Sequence, residues 1–221
     1  MAFWPFQSRS IARCAPTLSH DEIRKRARIL VIDDDQKAFP VELLRNEGYT
    51  VEYWESVKNL KALETGEYDL IVLDIQGIAT PQQSKTDGIG ILEHIKQYNP
   101  AQLVIAYSAK RYDFSHSTFW KLADDYLGKP SSLIACKQRI DDLLFTRFSA
   151  AYYWGVLKDL LIKQEVSSKD IAKFEKVVLK RAEKRQALTK QELADMLKLT
   201  KDGLTIATTV VGLIFKLFGN G

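Results

Sequence analysis

A handful of side chains have the types and spacing for phosphoryl or metal chemistry. Asp33, Asp34 and Asp35 stand in a row, and Asp74 closes an apolar run. Ser108 closes another such run, and Lys129 precedes Pro130. Clustered carboxylates repel and raise one another's pKa, so a fold gains little by gathering them without a counter-ion. A hard divalent cation relieves the repulsion, and Mg²⁺ favours one or two carboxylates together with water and phosphate oxygens. A carboxylate can also serve as a nucleophile and form an acyl phosphate. A hydroxyl and an ammonium beside it would then stabilise charge on the transferring group.

Such chemistry requires elements that bring these residues to one place. The compact apolar runs Ile29–Ile32, Asp69–Asp74 and Leu103–Tyr107 suit buried parallel strands. Thr50–Trp54 and Asp125–Leu127 read as two further strands. Helices are predicted between them over Pro40–Asn46, Val57–Leu63, Gly88–Tyr98, Phe119–Ala123 and Leu133–Phe148. Pro40 suits a first turn and Gly48 a helix end. Five βα units imply a parallel sheet with helices on both faces. Ligands of such sheets bind at the carboxyl ends of the strands, where the strand order reverses. Asp33, Asp74, Ser108 and Lys129 all fall at those ends.

Taken in order and on matching strands, Asp33 and Asp34, Asp74, Ser108 and Lys129-Pro130 resemble the response-regulator receiver family. The run from Ala123 to Pro130 resembles that family's fifth-strand signature. The resemblance covers residues 27 to about 148 and implies a flavodoxin-like α/β fold with a five-stranded parallel sheet. It implies that Asp34, Asp74 and the backbone carbonyl of Gln76 ligate Mg²⁺, with Asp33 holding the ion mainly through water. Asp74 would take a phosphoryl group from a phosphohistidine on a sensor histidine kinase or a phosphotransfer protein. Lys129 and the Ser108 hydroxyl would pair with the phosphoryl oxygens, and Tyr126 would follow Ser108 inward as the switch. Asp35 reads as a capping or solvated residue. The protein would be a signalling phosphoacceptor rather than an enzyme, beyond autophosphorylation from phosphodonors and autodephosphorylation.

The loop after Asp74 departs from the family pattern. Ile78 stands where a proline is usual, and Asp87-Gly88 arrives several residues late. The added segment, around Ala79–Thr86, is polar and flanks the site. Gln76 and Lys110 are candidates for tuning hydrolysis. Both Asp74 and Lys129 are retained, which favours phosphorylation over a pseudo-receiver scaffold. A phosphatase of the haloacid dehalogenase type would need a second Asp two residues after Asp74, and Gln76 stands there.

Residues 149–221 read as an all-α domain, and residues 1–26, with Phe3, Trp4 and Phe6, as an N-terminal arm without clear period. Ser167 and the Thr189/Glu192 pair are helix-start signals. The chain has a net charge of +4, with 46% hydrophobic and 27% charged residues, an ordinary globular composition. Residues 151–221 hold a net charge of about +5. Residues 192–204 resemble a helix-turn-helix only vaguely. The helix that would then read DNA, Leu204–Phe215, offers almost no side chain suited to base edges or phosphates. Output through a protein partner, or self-association through the tail helices, is therefore preferred to a DNA-binding transcriptional role, with membrane association third. Cys14 and Cys136 form no metal or disulfide framework. With no secretory signal and no spanning apolar stretch, a cytoplasmic location is expected.

Overall fold

The computed structural model describes residues 9–109 and 121–219. The chain divides into two compact units. One is Leu18–Phe148; the other joins the described part of Met1–Thr17 to that of Ser149–Gly221. The segment expected to be a separate arm is thus shared between the units, and it holds two short helices. Helix α1 (Ile11–Cys14) belongs to the second unit and α2 (His20–Arg26) to the first. A capping box between Ser19 and Glu22 starts α2.

The first unit is a five-stranded parallel sheet. Its strands are β1 (Arg28–Ile32), β2 (Thr50–Trp54), β3 (Leu70–Asp74), β4 (Leu103–Ser108) and β5 (Asp125–Gly128). Their spatial order is β2-β1-β3-β4-β5. The apolar runs form central strands because burial on both faces favours apolar side chains; every residue of β3 and β4 is buried, with the polar ones, Asp74, Tyr107 and Ser108, confined to the carboxyl ends. Between the strands run α3 (Val41–Asn46), α4 (Leu60–Glu64) and α5 (Gly88–Tyr98), and α6 (Leu133–Arg147) closes the unit. Ala62 and Leu63 of α4 and Ile91, Leu92 and Ile95 of α5 pack with Leu30, Ile32, Ile71 and Leu73 into one core cluster. Strand alternation sends Ile29, Val31 and Val72 to the opposite face, and these too are fully buried.

The predicted second helix starts three residues late, at Leu60, because Asn59 caps it by accepting from the Lys61 and Ala62 amides. Of the helix predicted over 119–123, residues 119 and 120 lie outside the described residues. Residues 121–123 form a turn and bend.

Sheet register sets the level of the functional rim. Ile32 pairs with Trp54 and with Leu73, Asp74 pairs with Tyr107, and Ser108 pairs with Gly128. Asp33, Asp74, Ser108 and Lys129 therefore emerge at one edge, beside the β1/β3 point at which the strand order reverses.

The second unit contains α7 (Ala150–Lys163), α8 (Ser168–Glu183), α9 (Lys190–Met196) and α10 (Lys201–Phe218). Ser149, Ser167, Thr189 and Thr200 each cap the following helix through a side-chain oxygen. Helix α10 packs against α7 and buries Ala207, Val210, Val211, Ile214 and Leu217. Ile11 of α1 is fully buried, and its N–H donates to Glu175 at 3.0 Å. No helix among the described residues is long and apolar enough to cross a membrane.

Candidate functional site

Asp74 is buried at the end of β3 with its two carboxylate oxygens held differently. Oδ1 accepts from the Ile75 amide at 2.6 Å and the Gln76 amide at 3.3 Å. Oδ2 accepts from Lys129 Nζ at 2.6 Å. Lys129 Nζ also lies 2.7 Å from Asp33 Oδ2 and 4.9 Å from the Tyr107 ring centroid. Burial disfavours the Lys129 charge, but the two carboxylates outweigh it and hold its pKa above the ordinary value. The Lys129–Pro130 peptide bond is cis.

Asp33 is fully buried, and its Oδ1 accepts from the Asp35 amide at 2.9 Å. Tyr53 donates its hydroxyl to the Asp33 carbonyl. Burial pushes the Asp33 carboxyl pKa up against the opposing pull of Lys129. Asp33 Oδ2 is held by the Lys129 ammonium in a close ion pair. Asp34 is exposed. One carboxylate oxygen from each of Asp33, Asp34 and Asp74 lies within 4.8 Å of the others. Three carboxylates gathered at one point make an all-oxygen donor set that fits a hard divalent cation such as Mg²⁺. Asp35 accepts from the Lys37 amide at 2.9 Å and caps its own turn, as its position suggests.

Ser108 is buried at the end of β4, and the Tyr126 hydroxyl donates to the Ser108 carbonyl at 3.1 Å. Tyr126 is half-buried against the core cluster. Lys110, a candidate for tuning, lies outside the described residues.

The structure adds one residue whose role the sequence did not suggest. Asp87 stands at the N-cap of α5 with φ 52°, yet its carboxylate does not cap that helix. It turns back and accepts from the amides of Gly77, Ile78 and Ala79, the last two at 3.2 and 2.9 Å. This loop carries Gln76, which is exposed. The glycines on either side explain why the clasp is tight. At Gly77, with φ 80°, a Cβ would stand 2.3 Å from Asp34 Oδ2. At Gly88 a Cβ would stand 2.2 Å from the Asp74 carbonyl oxygen. The only advance signal was the displaced Asp87-Gly88 pair. The added segment is tied down rather than loose: Gln83 Nε2 donates to the Val57 carbonyl at 2.8 Å, and the Val57 amide donates to the Ile78 carbonyl at 2.9 Å. Ile78, at the proline position, is fully buried in the core cluster.

The family model for the response regulator receiver domain matches residues 29–141. The chain belongs to this family. Solved structures similar to this receiver include a CheY-like receiver domain protein from Methanospirillum hungatei. That match has 25% identity over 55% of this chain and 95% of the other, with a TM-score of 0.46. The receiver domain of the Francisella response regulator 1452 is similar at 29% identity over 55% and 98%, with a TM-score of 0.45. The response regulator TrrA from Thermotoga maritima, solved with Mg²⁺ and a beryllofluoride, is similar at 26% identity over 53% and 98%, with a TM-score of 0.43. No curated protein matches the chain.

Proposed function

We propose that the protein is a cytoplasmic phosphorylation switch in which Asp74 accepts a phosphoryl group from a sensor histidine kinase or phosphotransfer protein. The observation that carries this reading is Lys129 Nζ, set 2.6 Å from Asp74 and 2.7 Å from Asp33 on a rim of three carboxylates. An Asp74 carboxylate oxygen forms the new O–P bond as the N–P bond of the donor phosphohistidine breaks, and the imidazole nitrogen keeps the electron pair. Lys129, already poised on Oδ2, moves its charge to the phosphoryl oxygens. The Ser108 hydroxyl bonds one of those oxygens, and Tyr126, hydrogen-bonded to the Ser108 carbonyl, follows that movement. Asp33, Asp34, Asp74 and the Gln76 carbonyl would hold Mg²⁺, which when bound neutralises charge on the carboxylates and the phosphate. The output is carried by the helical unit through contact with a protein partner. The residues that α10 exposes, among them Thr205, Gly212 and Lys216, support this, because they offer little to read base edges.

Mass spectrometry after incubation with Mg²⁺ and acetyl phosphate tests the chemistry. One phosphate adduct, absent from Asp74→Asn, is expected. Failure to form it, together with failure to bind beryllofluoride, would reduce the rim to a vestige and the domain to a scaffold.

A further inference from the structure

Helix α8 carries Lys169, Lys173, Lys176 and Lys180, and Lys184 follows at its C-cap. At about 100° per residue these five fall within roughly 80° of arc, in one straight row about 22 Å long. All five are exposed. The acidic residues of α8 do not neutralise them. Glu175 accepts the Ile11 N–H, and Glu183 pairs with Arg9, so both are engaged by the N-terminal segment. Asp170 serves Ser167 at the helix start and reaches only Lys173, at 3.3 Å and well exposed, a pairing of little energy. Lys176, Lys180 and Lys184 have no ion pair among the described residues. At the end of the row, Lys180, Arg181 and Lys184 line a groove of about 330 Å³ with Val177 and Gln186.

The row suits one class of partner. Protein interfaces disfavour lysine and rely on aromatic, Met or Arg anchors; the row itself contains none, and Arg181 beside it is paired with Glu192 at 2.6 Å. A helix lying in a membrane surface needs an exposed apolar flank, whereas Ile171, Phe174, Val178, Leu179 and Ala182 are buried. Point charges in single file match a phosphate backbone, which carries one negative charge per about 1.7 Å of duplex axis. The row offers no Arg, Asn or Gln to read base edges. We infer that the lysine row of α8 is a nucleic-acid-binding ridge, which grips the phosphodiester backbone without reading sequence. This ridge is independent of Asp74 chemistry, since the two lie in different units and binding needs no phosphodonor. It is also a different surface from α10, whose exposed residues offer little to read base edges.

The test uses the full chain and two fluorescein-labelled duplexes of unrelated sequence, followed by anisotropy. Five phosphate contacts give a log–log salt slope of about −4.5, so raising salt from about 50 to about 200 mM should weaken binding about 500-fold, equally for both duplexes. Replacing three residues together (Lys176→Gln, Lys180→Gln, Lys184→Gln) should cut that salt effect to about 12-fold, with circular dichroism unchanged because all three sites are exposed. No binding at the lower salt, or a triple variant with the parent slope, would overturn the inference. So would strong preference for one duplex, or binding to phosphatidylserine vesicles without binding to duplex.

Discussion

Removing the Asp87 clasp tests whether one carboxylate sets the shape of the loop after Asp74. Asp87→Asn is the informative change, because Asn tolerates the φ of 52° better than most residues. Its amide oxygen can keep the Ile78 and Ala79 bonds, both made to Oδ1, but its NH₂ then faces the Gly77 amide that Oδ2 now accepts. Hydrogen bonds to a charged acceptor contribute about 1.5 kcal/mol or more each, and neutral ones about 1 kcal/mol. Losing one bond and the charge assistance of two therefore costs about 2.5 kcal/mol of local stability. Because 1.36 kcal/mol is a factor of ten, amide hydrogen exchange at Gly77, Ile78 and Ala79 should run about 70-fold faster. Exchange in β4, at Val104 and Ile105, should not change. Mg²⁺ affinity by calorimetry should fall at least about tenfold, the usual effect of removing a residue that orients metal ligands. Exchange within a factor of two of the parent at all three amides would refute the clasp. Faster exchange with unchanged Mg²⁺ affinity would separate the loop from the ion site.

Two other perturbations probe the same rim. Gly88→Ala places a Cβ 2.2 Å from the Asp74 carbonyl oxygen and 2.8 Å from Ile75 Cα; neither backbone atom can yield without moving Asp74. A loss of about 3 kcal/mol or more in urea denaturation is expected, together with loss of the Asp74 phosphate adduct. Gly155→Ala, with nothing within 4 Å, should instead gain up to about 1 kcal/mol. Asp33→Asn concerns pH. Burial raises the Asp33 pKa, so the fold holds that proton more tightly than the unfolded chain, and stability falls as pH climbs from 3.8 through the raised value. In EDTA, Asp33→Asn should melt higher than the parent near neutral pH, with Lys129 still paired to Asp74. The gain should vanish below pH 3.8, and a parent that melts higher at neutral pH would show that the Lys129 pairing outweighs burial.

What the sequence disclosed follows from how far apart the interacting residues lie. The strands were readable because burial on both faces demands uninterrupted apolar runs, as in Leu70–Leu73 and Leu103–Ala106. The caps at Ser167 and Thr189 were readable because each interaction closes within three residues. Asp74, Ser108 and Lys129 could be placed together because parallel register aligns strand ends whatever the loops do. The missed features depend on contacts that no local pattern encodes. Ile11 lies in a four-residue helix with no period of its own, and what fixes it is a glutamate 164 positions away. Asp87 precedes a helix, where an aspartate usually caps, and only the path of the loop shows its carboxylate turned the other way. The added segment showed only its polar character in the sequence, whereas Ile78 before it and Gln83 within it anchor it to the core and to Val57. The late arrival of Asp87-Gly88 is thus compatible with an intact rim. The chain lengthens between Asp74 and α5, but Gly88 still docks against the Asp74 carbonyl and Asp87 still reaches the amides beside Gln76, so the extra residues are accommodated outside the rim that Asp33, Asp74 and Lys129 form.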